Sequence, residues 1–363
     1  MKKLLFCATD VGGARNLSPL LLYIQNKGFI PLLATSEEML TLFDTRGIKV
    51  IESKDINSEA AAVNLLKEIS PIAIVCGTTR YHSPERLLII AARKLGIRSI
   101  VILDEWFNYY FRFQKEDGEL SYLPDIICCQ DEKARNEAAA EGIPLDRLFI
   151  TGNPSLSIFT FDAEKFLTTP PAPPDFIQDK PKPIIAFLHE THSVDYSSSP
   201  GESGLLGQFI GYTEHTVRQD IFDALRKIGK SCTVIEKLHP SYQRGELAPL
   251  GDGVVGWLTI LKADLLSLLW HSDLVVGMRS MALLEAAILG CLVVSYQPHL
   301  IGPQLCTAVR LNIIKSIYDK NNLYDWLKEN ISGELKNERK VIKRFPFVRD
   351  DILQNIVDLI IAK

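Results

Sequence analysis

Short, wholly apolar runs alternate with helical patterns along most of this chain. In the first half, LLFCAT, IAIVCG and SIVILD are apolar runs, and SPLLLYIQNKG and PERLLIIAARKLG have helical spacing. Strands that lack polar alternation are typical of a parallel sheet covered by helices on both faces. The pattern therefore predicts an α/β fold built on a doubly wound parallel sheet.

A proline-rich segment, TTPPAPPDFIQDKPKP, interrupts this alternation at residues 168–183. Proline can continue neither a helix nor a central strand, so the segment is predicted to be an extended linker. The alternation resumes after it with PIIAFLH, a helical stretch and CTVIEKLHP. The chain is therefore predicted to contain two doubly wound domains of similar size.

The domain boundaries follow from this interruption. We predict a first domain at 1–167, a linker at 168–183, a second domain at 184–340, and a C-terminal helix at 341–363 that packs back on the first domain. Ligands of open parallel sheets bind beyond the carboxyl ends of the strands. The sequence thus predicts a ligand cleft between the two domains.

One apolar stretch, GMRSMALLEAAILGCLVVSY from Gly277 to Tyr296, is nearly long enough to cross a membrane. A continuous membrane helix would bury Arg279 and Glu285, each at a cost of roughly 2.5–3.5 kcal/mol. Gly277 and Gly290 fit strand and helix ends better. We therefore predict a strand, a helix with Ser280 as its N-cap, and a second strand, with no transmembrane segment.

Composition narrows the function further. The 363 residues carry a formal net charge of -4, which gives no indication of a nucleic-acid partner. The amino-terminal apolar run ends at Asp10, too early for a secretory signal. The seven cysteines are scattered without a CxxC pair, which favours reduced thiols in the cytoplasm over disulfides or a zinc site. No cofactor and no metal are predicted.

The segment TDVGGARN follows the first predicted strand. It contains Asp10, Gly12, Gly13, Arg15 and Asn16. It is not the GxGxxG dinucleotide fingerprint. One interpretation is a loop that contacts substrate or phosphate, with Asp10 as a candidate base. The other is a plain strand-to-helix turn with Asn16 as the helix cap.

Two adjacent acids, Asp104 and Glu105, follow the run SIVIL and precede the aromatic segment WFNYYFRF. Carboxylates at the end of a parallel strand are well placed for acid–base catalysis. The aromatic rings are candidates for stacking on a sugar or a base. The alternative is a surface loop whose aromatic residues pack under the linker.

Three histidines, His189, His192 and His239, lie at predicted strand ends of the second domain. We predict His189 as a catalytic residue and His239 as a phosphate donor. The HETH segment lacks the HExxH spacing of zinc enzymes. His82 is predicted to be structural or solvent-facing.

The middle of the chain resembles the non-hydrolysing UDP-N-acetylglucosamine 2-epimerases. NEAAAEGIPLDRLFITGNPSL is similar to their helix, EGIP, strand and TGNP segment. FLHETHS is similar to their TxHRxEN, KLHP to their HxNP, and GMRSMALLEAAILG to their DSGGxxEEAxxLG. The wider superfamily is the two-domain GT-B type, which also contains lipid A disaccharide synthase and many nucleotide-sugar glycosyltransferases.

The resemblance implies two Rossmann-like domains, of which the second binds the nucleotide. A diphosphate would lie near Arg279, Ser280 and Met281, and the carboxylate of Glu285 would accept hydrogen bonds from the ribose. The chain also departs from the epimerase pattern. Thr78 stands at the Asp of GDTT, MRSM replaces DSGG, and Glu190 replaces the Arg that follows the first His.

These departures set the order of the functional hypotheses. The first is a GT-B glycosyltransferase of cell-envelope or surface polysaccharide synthesis, using a UDP- or CDP-linked sugar and a sugar or lipid-linked acceptor. The alternatives are a 2-epimerase or nucleotide-sugar hydrolase, and a non-catalytic binding protein. The basic run at 336–344 is a candidate for peripheral membrane contact. A homodimer remains open.

Overall fold

The computed structural model describes residues 2–79, 83–239, 242, 247–332, 340–342 and 344–362. The chain divides into two compact units. Unit 1 contains Met1–Phe159 and Arg344–Lys363, and unit 2 contains Thr160–Lys343. The predicted boundaries at 167 and 184 stay a prediction, because the units meet at Thr160, inside a helix that runs over Pro154–Thr168.

Unit 1 is an alternation of buried strands and helices. Its strands are β1 (Lys3–Ala8), β2 (Ile30–Thr35), β3 (Lys49–Glu52), β4 (Ala73–Cys76), β5 (Arg98–Ile102), β6 (Ile126–Cys129) and β7 (Leu148–Ile150). Its helices up to the unit boundary are α1 (Val11–Asn26), α2 (Glu59–Ile69), α3 (Pro84–Leu95), α4 (Tyr109–Phe113), α5 (Glu132–Ala140) and the start of α6 (Pro154–Thr168).

The seven strands of unit 1 form one parallel sheet in the order β3-β2-β1-β4-β5-β6-β7. The chain winds outwards in one direction from β1 and in the other from β4. The carboxyl ends of these two central strands are therefore the point at which an open α/β sheet offers a crevice for a ligand.

The first helix begins earlier than the sequence pattern predicts. α1 starts at Val11, so Gly12 and Gly13 lie in its first turn and not in a loop before it. Asp10 is the N-cap, because its side chain accepts a hydrogen bond from the N–H of Gly13. The alternative of a cap at Asn16 is wrong, since Asn16 lies within the helix.

One further element of unit 1 differs from the prediction. The stretch EEMLTLFDTRG forms only a short 3-10 helix at Glu37–Leu42. The side chain of its N-cap, Ser36, accepts no capping hydrogen bond, and none of the residues in this turn is buried. Without capping or burial, a helical pattern gains little of the tertiary packing that stabilises most helices in proteins.

Unit 2 repeats the alternation. Its strands are β8 (Ile184–Leu188), β9 (Cys232–Lys237), β10 (Val255–Ile260), β11 (Leu274–Gly277), β12 (Leu292–Tyr296) and β13 (Lys315–Ile317). Its helices are the end of α6, α7 (His192–Asp195), α8 (Glu214–Ile228), α9 (Leu265–His271), α10 (Ala282–Ile288), α11 (Thr307–Arg310) and α12 (Lys320–Ser332).

The six strands described for unit 2 also form a parallel sheet, in the order β10-β9-β8-β11-β12-β13. The winding direction reverses between β8 and β11. The prediction of two doubly wound parallel sheets is therefore confirmed. The elements β10, β13 and α12 were not predicted, because their short apolar runs are interrupted by polar residues.

The stretch 277–296 is a strand end, a helix and a strand, as predicted, and it is not a membrane helix. The helix begins one residue later than expected. Met281 is its N-cap, and the hydroxyl of Ser280 accepts a hydrogen bond from the N–H of Ala282 instead of capping the first turn. Among the described helices, none is long and apolar enough to span a bilayer.

The last helix, α13 (Ile352–Ile361), belongs to unit 1. Ile352, Ile356 and Ile360 are buried in the same apolar core as Leu17 and Leu20 of α1. Asp351 precedes the helix, and the hydroxyl of Tyr23 donates a hydrogen bond to Gln354. The amphipathic pattern of this segment explains why it packs on a core and not in solvent.

Several predicted features lie outside the described residues. His82 is one, and most of the basic run at 336–344 is another. The seven cysteines are free, and six of them are buried.

Candidate functional site

The predicted residues of unit 1 meet at the switch point of its sheet. Asp10 follows β1, Thr78 follows β4 and Asp104 follows β5. These three strands are neighbours in the sheet, and all are parallel. The topology therefore brings together three polar side chains that are far apart in sequence. Asp10 and Asp104 are partly exposed, so a ligand can reach them.

Asp104 forms an ion pair with a buried arginine that the sequence did not predict. Its Oδ1 lies 2.7 Å from Nη1 of Arg112, whose side chain is only 3% exposed. The hydroxyl of Thr78 donates to the same oxygen at 3.1 Å and accepts from Arg112. The hydrogen bonds from Arg112 and Thr78 thus fix the orientation of the Asp104 carboxylate. The second oxygen, Oδ2, faces the first turn of α1.

Gly12 is required at this point by the position of Asp104. A Cβ atom on Gly12 would lie 2.2 Å from Oδ2 of Asp104, well inside contact distance. A Cβ on Gly77 would similarly lie 2.8 Å from the Cα of Gly13. The glycines therefore let the amino end of α1 approach the carboxylate and the neighbouring strand.

Asp10 lies in an environment that favours its protonated form. Burial and the nearby charge of Asp104 raise the pKa of Asp10 from 3.8 to about 8, although the hydrogen bond from Gly13 acts in the opposite direction. At neutral pH, Asp10 is therefore mostly protonated, whereas Asp104 is paired with Arg112. Two neighbouring carboxyl groups in different environments are suited to act as acid and base.

This raised pKa predicts an unusual pH dependence of stability. A carboxyl group with a raised pKa stabilises the fold in full below its unfolded pKa and loses that contribution as pH rises towards the folded value. The contribution of Asp10 should therefore decline from about pH 4 to about pH 8. Asn cannot ionise, so Asp10→Asn should be close to wild type in stability below about pH 4 and more stable than wild type at alkaline pH.

Chemical unfolding across this pH range measures the effect. The matched control is Asp264→Asn, which changes another helix N-cap, that of α9. The control should show no gain in stability relative to wild type at alkaline pH. If the stability difference between Asp10→Asn and wild type does not change with pH, the proposed environment of Asp10 is wrong.

Asn16 has a structural role in this unit. It is 1% exposed, donates from Nδ2 to the carbonyl of Leu103, and accepts from the N–H of Ser155. It joins the end of β5 to the start of α6 and cannot contact a phosphate in this arrangement. The predicted ligand contact of Asn16 is therefore not retained. Arg15 is partly exposed, and its predicted role stays a prediction.

The aromatic segment after Asp104 is mainly part of the core. Trp106 and Tyr109 are fully buried, and Nε1 of Trp106 donates to Asp131 at 2.8 Å. These rings pack within unit 1. Glu105 is partly exposed, and its carbonyl accepts a hydrogen bond from Gln130. The catalytic role predicted for Glu105 stays a prediction.

In unit 2 the carboxylate of Glu190 occupies the turn between β11 and α10. Glu190 follows β8, the strand next to β11. Its Oε1 accepts hydrogen bonds from the N–H groups of Met278, Arg279 and Ser280, at 3.2, 2.7 and 3.0 Å. The N–H groups of Arg279 and Ser280, two residues expected at a phosphate, are therefore already satisfied by a side chain of the protein.

The predicted nucleotide contacts differ in their exposure. The side chain of Arg279 donates to the hydroxyl of Tyr196 at 2.7 Å and lies over its ring. Ser280 and Met281 are partly exposed, whereas Glu285 is 1% exposed within the buried helix α10. Ribose binding by Glu285 would need this part of unit 2 to open. These contacts stay predictions.

His189 is placed in the interior and not at a surface. It is 2% exposed, and burial lowers its pKa. Neither ring nitrogen has a hydrogen-bond partner among the described residues. The predicted catalytic contact is therefore not supported by the position of the side chain. His239 is partly exposed, burial lowers its pKa, and its phosphate role stays a prediction.

A buried polar network next to His189 was not predicted. The carboxylate of Glu236, on β9, is 0% exposed and accepts from Arg218, Trp257 and Thr259 at 2.7–3.0 Å. The guanidinium of Arg218 also lies over the ring of Trp257. The acid in the apolar run CTVIEK indicates such a network, because an ionised side chain in a buried strand requires partners.

Arg112 could have been found by the same argument. It lies in the run YYFRF, where a single cation among aromatic residues indicates a buried charge that needs a carboxylate. Glu190 had no such signal, since it follows the strand in a polar segment. Within the described parts of the chain, no group of three or more His, Cys, Asp or Glu residues is placed to hold a metal ion.

Of the comparisons with known proteins, only the one with solved structures found matches. No family model matches the chain, and no curated protein matches it in sequence. Solved structures do match. The UDP-GlcNAc 2-epimerase from Neisseria meningitidis, solved with UDP-GlcNAc, has a TM-score of 0.66 at 16% identity, over 99% of this chain and 100% of the other. The fold is that of the UDP-N-acetylglucosamine 2-epimerases.

Two other structures extend this likeness. A Listeria monocytogenes protein, provisionally named a UDP-N-acetylglucosamine 2-epimerase, has a TM-score of 0.70 at 16% identity, over 99% of this chain and 96% of the other. MurG from Acinetobacter baumannii has a TM-score of 0.57 at 13% identity, over 99% of each chain. The GT-B fold that the motifs implied is therefore confirmed. At these identities the likeness shows the fold alone.

Proposed function

We propose that the protein is an enzyme that acts on a nucleotide sugar by proton transfer at the sugar, in the manner of a 2-epimerase. The observation that carries the proposal is the pair Asp10 and Asp104 at the switch point of unit 1. Enzymes place catalytic groups at this edge of an open parallel sheet. The fold shared with the epimerases supports the same choice.

The chemistry of epimerisation requires two groups of opposite function. One group removes the proton from the carbon that is inverted, and another returns a proton from the opposite face. Asp10 is mostly protonated at neutral pH because its pKa is raised to about 8, so it is suited to donate. Asp104, fixed by Arg112 and Thr78, is suited to accept. Glycosyl transfer requires only one base.

The nucleotide contacts are proposed in unit 2. His239, Ser280 and Glu285 are the candidates for its phosphate and ribose groups. The proposal of a uridine nucleotide is supported by the Neisseria meningitidis enzyme, which was solved with UDP-GlcNAc. It is supported also by a Staphylococcus aureus protein, MnaA, solved with UDP at 16% identity and a TM-score of 0.65.

Hydrogen exchange in heavy water tests the reaction directly. UDP-GlcNAc incubated with the protein should acquire deuterium at C2 of the sugar, as measured by proton NMR and mass spectrometry. Exchange should be lost in Asp10→Asn and Asp104→Asn, and kept in Asp264→Asn. If UDP-GlcNAc and other UDP-sugars show no exchange with the wild-type protein, the epimerase proposal fails.

Glycosyl transfer is the second candidate, and Thr78 favours it. The epimerases that the chain resembles have an Asp where this chain has Thr78, and MurG shares the fold. A glycosyltransferase should release UDP only when an acceptor is added, without deuterium at C2. If the protein binds the nucleotide but shows neither deuterium exchange at C2 nor release of UDP, the non-catalytic binding protein becomes the better hypothesis.

A further inference from the structure

The turn that precedes α10 holds an anion supplied by the chain itself. The three N–H groups of Met278, Arg279 and Ser280 converge on one carboxylate oxygen of Glu190. These donors belong to the turn that follows β11, before the helix begins at Ala282. Successive N–H groups that point to one position form a concave site suited to an anion such as a phosphate oxygen.

The side chains around Glu190 complete the positive environment. The Nε2 atom of His192 lies 3.1 Å from the second carboxylate oxygen, and His192 is itself 2% exposed. Its other ring nitrogen is buried without a hydrogen-bond partner among the described residues. The guanidinium of Arg279 is held nearby by Tyr196. The anion thus lies among three backbone donors, an imidazole and a guanidinium.

The ionisation of Glu190 agrees with this geometry. Burial by itself would raise its pKa, but the charge and hydrogen bond of His192, the charge of Arg279 and the N–H of Arg279 together lower it to about 2. Glu190 is therefore a carboxylate throughout the physiological pH range. A second anion cannot occupy the same donors while this carboxylate remains in place, since like charges repel.

We propose that Glu190 is a specificity-determining residue: its carboxylate occupies the N–H donors of the 278–280 turn, and a diphosphate must displace it to bind there. The identity of the ligand rests on the proposed function, whereas the occupied turn does not. Glu190 thereby lowers the affinity of unit 2 for anionic ligands and favours release of a nucleotide diphosphate.

Binding of inorganic pyrophosphate, measured by calorimetry, tests the proposal without depending on the identity of the nucleotide. Glu190→Ala should bind pyrophosphate at least about tenfold more tightly than wild type, which corresponds to about 1.4 kcal/mol. Glu190→Gln should show a smaller gain, because its amide oxygen still accepts the N–H groups but carries no charge. Glu202→Gln, which removes an exposed charge of the same unit, should change binding less than about twofold.

The wild-type protein provides a measurement that does not depend on the folding of a variant. In ¹⁵N spectra, pyrophosphate should leave the amide signals of Arg279 and Ser280 unchanged in wild type and shift them in Glu190→Gln. If these signals move in wild type at micromolar pyrophosphate, the carboxylate does not restrict the turn and the proposal is overturned. Unchanged affinity in folded Glu190→Gln and Glu190→Ala also overturns it.

The same titrations with UDP separate this proposal from the proposed function. If the Glu190 variants gain affinity for pyrophosphate but no variant binds UDP, CDP or GDP, the role of Glu190 stands and the nucleotide-sugar enzyme falls. If UDP binds wild type tightly and shifts Arg279 and Ser280, the nucleotide enzyme is supported and the role of Glu190 falls.

Discussion

Asp10→Asn should lower the turnover number by about 10²- to 10⁴-fold, the usual contribution of a general acid or base. The substitution removes the exchangeable proton and retains the size of the side chain. Asn is also a good N-cap, so α1 should keep its first turn and the protein should remain folded. Steady-state kinetics with the substrate identified by hydrogen exchange measures the loss.

The pH profile shows whether Asp10 acts in its protonated form. The wild-type rate should fall as pH rises through about 8, where Asp10 loses its proton, and this limb should be absent in the variant. Asp264→Asn, at the N-cap of α9, should retain the wild-type profile. A variant at position 10 with full activity would exclude Asp10 from the reaction.

Glu236→Gln should destabilise unit 2 by about 3–5 kcal/mol, the usual cost of breaking a buried ion pair. The Glu236 side chain is 0% exposed and Arg218 is 8% exposed, so solvent cannot compensate for the loss. The substitution leaves the guanidinium without its counter-charge and weakens the hydrogen bonds from Trp257 and Thr259. Urea unfolding followed by circular dichroism measures the difference.

A double-mutant cycle separates the pair from the rest of the network. Arg218→Met retains the volume of the side chain and removes the charge that Glu236→Gln would leave unpaired. The double variant should therefore be more stable than the Glu236→Gln variant. If the two substitutions simply add, the salt bridge contributes little, and the loss would come from the neutral hydrogen bonds alone.

The functional interpretation depends on how these two regions differ. Asp10 and Asp104 are partly exposed at a sheet edge and have distinct environments, as expected for groups that exchange protons with a ligand. Glu236 and Arg218 are buried, and Nε of Arg218 donates to the carboxylate of Glu236. Both pairs contain perturbed or buried charges. Only their exposure to solvent distinguishes the candidate catalytic pair, Asp10 and Asp104, from the structural pair, Glu236 and Arg218.

Much of the fold could be predicted from the sequence. The apolar runs predicted the central strands of both sheets, including β1, β4 and β8, because strands covered on both faces need no polar positions. The break of the run at 277–296 into a strand, a helix and a strand was also predicted. The edge strands β10 and β13 were not, since exposed strands carry mixed residues.

The candidate site was predicted in part. Asp10 and Asp104 were found because an acid directly after a buried strand lies at the edge where ligands bind. Their partners Arg112 and Thr78 were not predicted. The cation in YYFRF indicates a buried charge at Arg112, but no local pattern indicates which carboxylate Arg112 or Thr78 contacts. The helix start at Val11 was also missed, since two consecutive glycines normally indicate a turn.

The sequence by itself determined the alternation of strands and helices, the parallel sheets and the residues at the strand ends, because these depend on local patterns of apolar and polar side chains. Only the tertiary structure decided the pairing of charges. Asp104 with Arg112, Glu236 with Arg218, and Glu190 with the 278–280 turn join residues from different elements. Such pairs depend on strand order and burial, which local sequence patterns do not encode.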